Sequence, residues 1–263
     1  TLGDQYKMKE QRLSNGIRIT GGVLGVIFTL CLLFILLITS VEAVCYWNPG
    51  YFEREYEKHE VLASLPEMKL TGEDSLMTVT EHMMKYLRGD EDAPTLQIEV
   101  TMGGQKRGFF TEREILHMED VRDLFVGAQQ LRAGALVLIL AGAALLWILR
   151  DRKDKGSALR IFCRGMLLGT GLMLVLGMVL ATDFSNAFVT FHHIFFDNDL
   201  WILDPRVDML VNIVPEGFFF DTAARILGLF LGALVLLCSL SLWYLGRSPR
   251  RGSRRSGRRE NKA

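Results

Sequence analysis

Residues 191–205 read FHHIFFDNDLWILDP. Two histidines, three acids and four large aromatics stand together here, between apolar runs at 165–182 and 226–245. A loop that merely joins helices is short and rich in small polar residues, whereas this one mixes titratable groups with side chains that favour a membrane–water interface. It reads as a site held at a membrane surface. Outward from it, two further apolar runs occupy 19–44 and 132–149. Each of the four is about long enough to cross a hydrocarbon core of about 30 Å at about 1.5 Å per helical residue. With 49% of the residues hydrophobic, composition agrees and predicts a mainly α, integral membrane four-helix transmembrane bundle.

The formal net charge is zero, 30 basic against 30 acidic residues, but charge is sorted along the chain. Lys7, Lys9, Arg12 and Arg18 precede the first run, and Arg150, Arg152, Lys153, Lys155, Arg160 and Arg164 fill the second connection. The tail from Arg247 is rich in arginine with only Glu260 opposing, while 183–225 sets seven acids against Arg206 and Arg225. Lys and Arg collect on the cytoplasmic side. The expected order is a cytoplasmic N-terminus (1–18), a first span (19–44), an extracellular α+β cap (45–131) and a second span (132–149). A cytoplasmic loop (150–164), a third span (165–182), an extracellular site segment (183–225), a fourth span (226–245) and a basic cytoplasmic tail (246–263) follow. The first run exceeds the roughly 7 to 15 apolar residues of a signal peptide and is expected to stay as an anchor. Glu42 and Val44 before Cys45 do not fit a lipobox.

The cap has its own signals. Apolar residues at helical spacing predict helices over 50–65 and 73–87, the second closed by Gly89 within Arg88-Gly89-Asp90, a C-cap rather than an adhesion motif. TLQIEVT at 95–101, Gly103-Gly104 and 106–110 predict a β-hairpin. Thr111 and Glu114 form a capping box, so a helix carrying His117 starts there and runs toward the second span.

His117 has Asp120 at i+3 and Glu114 at i−3 to orient its ring, and His192 follows the third span on the same side of the membrane. The two can meet above the bundle. A neutral imidazole accepts a proton and a protonated one returns it near neutral pH, so a pair could divide proton transfer. His59 and His82, in acidic helices, are expected to be solvated. The four cysteines do not form a disulfide framework, and Cys45 alone faces outward, as a packed residue at a helix end. His192, His193, Asp197 and Asp199 offer metal-ligand types, but no HExxH or paired CxxC spacing is present, so no metal and no cofactor are expected. A G-x-S-x-G elbow is also missing, and Glu42, Arg132, Asp183 and Arg225 lie too near helix ends to mark a transport path.

The HMEDVR helix at 117–122 and FHHIFFDNDLWILDP, followed by Asp208 and VPEGFF at 214–219, closely resemble the bacterial lipoprotein intramolecular transacylase (Lit) family. The resemblance extends from the first span to the fourth. The family pattern F-H-x-x-F-F falls on His192 and leaves His193 at a variable position, while H-M-x-D-V-[KR] falls on His117; the longer arginine-rich tail departs from it. The resemblance implies that the sn-2 acyl chain of a lipoprotein's diacylglyceryl-cysteine moves to the α-amine of the same cysteine. His117 and His192 would act as base and acid in either order. Nucleophile and ester then share one molecule, which removes the need for a Ser or Cys nucleophile.

Supporting or oxyanion candidates are Asp120, Asp197, Asn198, Trp201 and Asp204, with the backbone amides of the 197–200 turn. Phe191, Phe195 and Phe196 could line a substrate path or belong to an interfacial belt. Gly21 and Gly25, Gly165 and Gly169, and Gly228 and Gly232 suggest close helix packing, in this chain or between chains. Expected partners are diacylglyceryl-modified bacterial lipoproteins and membrane lipids; the basic tail suits anionic lipid rather than nucleic acid. The alternatives are a non-catalytic protein with a lipid- or lipoprotein-binding cap and a metal-dependent membrane hydrolase.

Overall fold

In a computed structural model of the chain, backbone is described for residues 2–64, 75–102, 104–148 and 155–247. Side chains are described for 23–63, 75–102, 104–144, 165–179, 182–243 and 246. The basic tail and the charges at 150–153 lie outside the described residues. In chain order the elements are α1 (Leu2–Cys45), α2 (Tyr51–Lys58), α3 (Val61–Ser64), α4 (Leu76–Arg88), β1 (Glu99–Met102) and β2 (Gln105–Gly108). Then come α5 (Glu112–Ile148), α6 (Lys155–Thr182), α7 (Phe184–Phe195), α8 (Leu210–Ile213) and α9 (Glu216–Arg247).

The protein is mainly helical, and among the described residues three stretches are long and apolar enough to cross a membrane: Val23–Cys45, Glu112–Ala144 and Glu216–Trp243. Among the described residues of the expected third span, Gly165–Val179 of α6 is followed by α7, and the two are bent by 116°. Asp183 makes the corner by capping α7, accepting from the Asn186 backbone N–H at 3.1 Å. The site segment expected as a connection from 183 thus begins with a helix, and His192 and His193 lie in its last turn.

α1 packs against α5, α6 and α9. Their outer faces expose leucine and valine in numbers suited to lipid, as at Leu138 and Leu140 on α5, Leu168 and Leu172 on α6, and Leu236 and Leu240 on α9. Gly165 and Gly169 let α1 approach α6: a Cβ on either would stand 2.8 Å from Thr29 or Leu33. Gly228 and Gly232 meet no atom of this chain within 4 Å, whereas Gly142 and Gly177 also allow close approach, against Phe28 and Leu227. Near the C-terminal end of α1, Glu42 Oε1 accepts from Arg132 Nη2 at 2.9 Å, tying α1 to α5.

Between α1 and α5 the chain folds over one core that includes Tyr51, Val79, Leu96, Val100, Ile213 and Phe218. Such burial contributes about 1.5–3 kcal/mol per large side chain. Ser75 caps α4, and Gly89 ends it in the left-handed region at φ 82°. Arg88 Nε then pairs with Asp90 Oδ1 at 2.8 Å, so the Arg-Gly-Asp triplet closes on itself. β1 and β2 pair antiparallel with Val100 opposite Arg107. The ladder is shorter than 95–101, although the Phe109 N–H still reaches the Ile98 carbonyl at 2.9 Å.

Candidate active site

α5 opens with the expected capping box. The Thr111 N–H donates to Glu114 Oε2 at 2.6 Å and the Glu114 N–H returns to Thr111 Oγ1 at 3.3 Å. Both residues also grip the segment before α9: fully buried Glu114 accepts the Leu210 N–H at Oε1, and Thr111 Oγ1 donates to buried Asp208 at 2.9 Å. One turn further along α5 stands His117. Because Glu114 is spent in this anchor, it does not orient that imidazole.

His117 and His192 are 6% and 7% exposed, and their ring centroids lie 5.8 Å apart. Buried Phe196 closes one side, 5.3 Å from the His117 ring and 5.6 Å from that of His192. Trp201 stacks on His192 at 4.7 Å, and Phe188 crowds it from below at 4.2 Å. His193 is exposed and meets only the edge of Trp201, at 5.2 Å.

The hydrogen bond of His192 assigns its tautomer. Nδ1 lies 2.8 Å from the Phe188 carbonyl, which can only accept, so Nδ1 carries the proton and Nε2 keeps its lone pair. Nδ1 of His117 is buried without a hydrogen-bond partner, so neither tautomer is imposed on it. α5 is about 55 Å long against a hydrocarbon core of about 30 Å, and its charged residues, apart from Arg132, all lie between Glu112 and Asp123, so the first turns of the Glu112–Ala144 stretch stand clear of its apolar, membrane-crossing part. There, burial, followed by the proximity of His192, brings His117 down to about 4 against the upward pull of Asp120. Burial also lowers His192, outweighing the Phe188 carbonyl bond that favours its protonated ring. Both rings are therefore neutral at pH 7.

The turn after α7 is clamped onto α5 at two points. Asn198 Nδ2 donates to Asp120 Oδ2 at 2.9 Å, and its Oδ1 accepts the Leu200 N–H at 3.0 Å. Arg113, one turn before His117, reaches the carbonyls of Asp199 and, at 3.4 Å, Leu200. Nε1 of Trp201 is buried with no acceptor in reach, an orphan donor beside the histidine pair.

Other expected site residues are placed elsewhere. Asp197 is exposed, and Asp204 closes its own turn with Arg206 at 2.9 Å while donating its N–H to Asp208 at 2.7 Å. Phe191 and Phe195 are exposed on α7 beside Ile194, whereas Phe196 is buried against the rings. His192, His193, Asp197 and Asp199 do not converge as metal ligands among the described residues. His59, expected to be solvated, is largely buried and bonds Asp221 Oδ2 at 2.7 Å, because α9 comes up against its ring. His82, half-buried, bonds the Thr95 carbonyl at 2.8 Å. Arg113 was missed, since nothing in its local sequence marks an 86-residue contact.

The family model of the lipoprotein intramolecular transacylase Lit matches residues 26–219. A curated uncharacterised protein of Aquifex aeolicus (strain VF5) is 29% identical over 133 residues, half of this chain; the chain spans only 56% of that relative's length. The membrane-integral lipoprotein intramolecular transacylase Lit from Bacillus cereus is 21% identical with a TM-score of 0.64, over 86% of this chain and 96% of that one. A variant of the same Bacillus cereus protein with one histidine replaced by alanine gives a TM-score of 0.65 at 20% identity, over 90% and 97% of the two chains. These likenesses establish a shared fold. With the family model matching from the first membrane helix to the start of the last, the chain belongs to the lipoprotein intramolecular transacylase (Lit) family.

Proposed function

We propose that this chain is a membrane acyltransferase that moves the sn-2 acyl chain of a lipoprotein's diacylglyceryl-cysteine onto the α-amine of that cysteine. The observation that carries the reading is the buried pair of neutral imidazoles, His117 and His192, with their rings 5.8 Å apart. An amine has a pKa of about 7.7 to 8.0 and attacks an ester only when unprotonated. It attacks the ester carbonyl, forming the new C–N bond, and loses its remaining extra proton to His192 Nε2, the nitrogen whose lone pair is free. The imidazolium so formed returns that proton to the glycerol oxygen as the C–O bond breaks. Proton and acyl group thus change places within one substrate, and the enzyme ends unchanged.

His117 stays neutral and donates an N–H to the tetrahedral oxyanion, since a second cation beside imidazolium His192 would oppose its formation. Trp201 Nε1, without an acceptor of its own, supplies a second donor. Asp120, Asn198 and Arg113 hold the turn that carries the indole. Holding amine and ester in a near-attack geometry supplies about 7–11 kcal/mol of the barrier reduction. The exposed face of Phe191, Ile194 and Phe195 admits acyl chains from the outer leaflet. In this reading the site faces the outside of the cell and both termini lie in the cytoplasm, which the lysine and arginine distribution supports. No cofactor and no nucleic acid take part.

Fragmentation mass spectrometry of a lipoprotein's N-terminal peptide, from cells with and without the protein, tests the reading. Total mass is unchanged by the reaction, so the expected result is an acyl chain on the cysteine nitrogen only when the protein is present. Identical fragments from both cells would overturn it.

A further inference from the structure

Apart from the histidine pair, a second cluster joins the insert to the last membrane helix. Glu55 and His59 lie at i and i+4 on the face that α2 turns toward α9, and Asp221 stands in the second turn of α9. One donor atom from each falls within 4.8 Å of the others: His59 Nε2 is 2.7 Å from Asp221 Oδ2 and 3.6 Å from Glu55 Oε2. Glu55 is 1% exposed. Its Oε1 accepts from Arg225 at 2.6 Å, but Oε2 is buried with no hydrogen bond at all. A carboxylate oxygen left in that state is costly, and its free lone pairs point into the cluster.

We propose that Glu55, His59 and Asp221 bind a divalent transition-metal cation, with zinc the best match. Two carboxylates and an imidazole are borderline donors of the kind zinc takes, and donors about 2.1 Å from one tetrahedral ion stand about 3.4 Å apart, close to the separations found here. Gly217 makes the arrangement possible. A Cβ there would lie 2.8 Å from His59 Cε1, so a side chain would displace the imidazole. Lys58 now bonds Asp221 Oδ2, but it is half-exposed and gives up this pair at little cost when the ion arrives. Arg225 can remain on Oε1 of Glu55, leaving Oε2 for the metal. A fourth position falls to water, and the ion clamps α2 to α9 in a structural role. The inference does not rest on the acyl-transfer reading.

The test uses untagged full-length protein in detergent, stripped with chelator, loaded with zinc chloride and desalted. The expected result is about one retained zinc ion per chain by elemental analysis. Tm should rise by about 5 °C at a hundredfold excess of free zinc over Kd. Asp221→Asn and His59→Gln should abolish both effects. Lys58→Met should bind zinc at least threefold more tightly, because it removes the competing cation while leaving all three ligands. No zinc retained by the wild type, equal retention by the ligand variants, or unchanged affinity in Lys58→Met would each overturn the proposal.

Discussion

Asn198 Nδ2 and Asp120 Oδ2 meet at 2.9 Å across the joint between α5 and the turn that follows α7. The bond lies one helical turn beyond His117, so it fixes how far Trp201 stands from the histidine pair. Asn198→Ala and Asp120→Ala should each lower kcat about tenfold, the worth of a hydrogen bond of about 1.4 kcal/mol, while KM changes little. Steady-state acyl transfer checks this. A tenfold rise in KM at constant kcat would move the pair from positioning catalytic groups to binding substrate.

Trp201 tests the oxyanion assignment. Phenylalanine keeps a ring over His192 but removes the indole N–H, so Trp201→Phe should lose about 10²- to 10³-fold in kcat with Tm unchanged. Retention of more than a third of the activity would show that the orphan donor serves no reacting oxygen.

His117 also couples folding to pH. Its imidazole stands at about 4 when folded and near the ordinary 6.5 when unfolded, so between these values the unfolded chain binds the extra proton. The contribution is complete above about pH 6.5 and is lost as pH falls toward 4, at up to about 1.4 kcal/mol per pH unit. Urea titrations from pH 4 to 7 should show this slope, reduced in His117→Gln. The same neutrality means that kcat/KM should rise with pH toward about 8, following the substrate amine, with no enzyme step near 6.5.

Glu42, near the end of α1, pairs with Arg132 in the middle of α5. Arg132→Met leaves Glu42 buried and unpaired, and should cost about 3–5 kcal/mol, whereas Arg132→Met with Glu42→Leu should recover most of it. Thermal unfolding of the two variants in detergent decides the point.

What could be read from the sequence was whatever depends on neighbours in the chain. The capping box at Thr111 and Glu114, the closing Gly89 and the hairpin at Gly103-Gly104 are local and visible in the residues. The helix that holds His192 was hidden, because FSNAFVTFHHIF has the aromatics of an interfacial belt and no proline or glycine to mark its end. Glycine spacing does not say which neighbour it serves: the same interval packs α6 on α1 at Gly165 and meets no atom of this chain at Gly228. Contacts such as His59 with Asp221, 162 residues apart, depend on how the helices are arranged.

On the proposed acyl transfer, the 116° corner at Asp183 would set the dimensionality of the reaction. A helix turned aside in this way, with Phe191, Ile194 and Phe195 outward, would meet a lipid-anchored substrate by lateral diffusion along a sheet. Turnover should then follow the mole fraction of lipoprotein among the lipids rather than its amount per volume. Diluting the vesicles with buffer would leave the rate untouched, and diluting them with inert lipid would slow it.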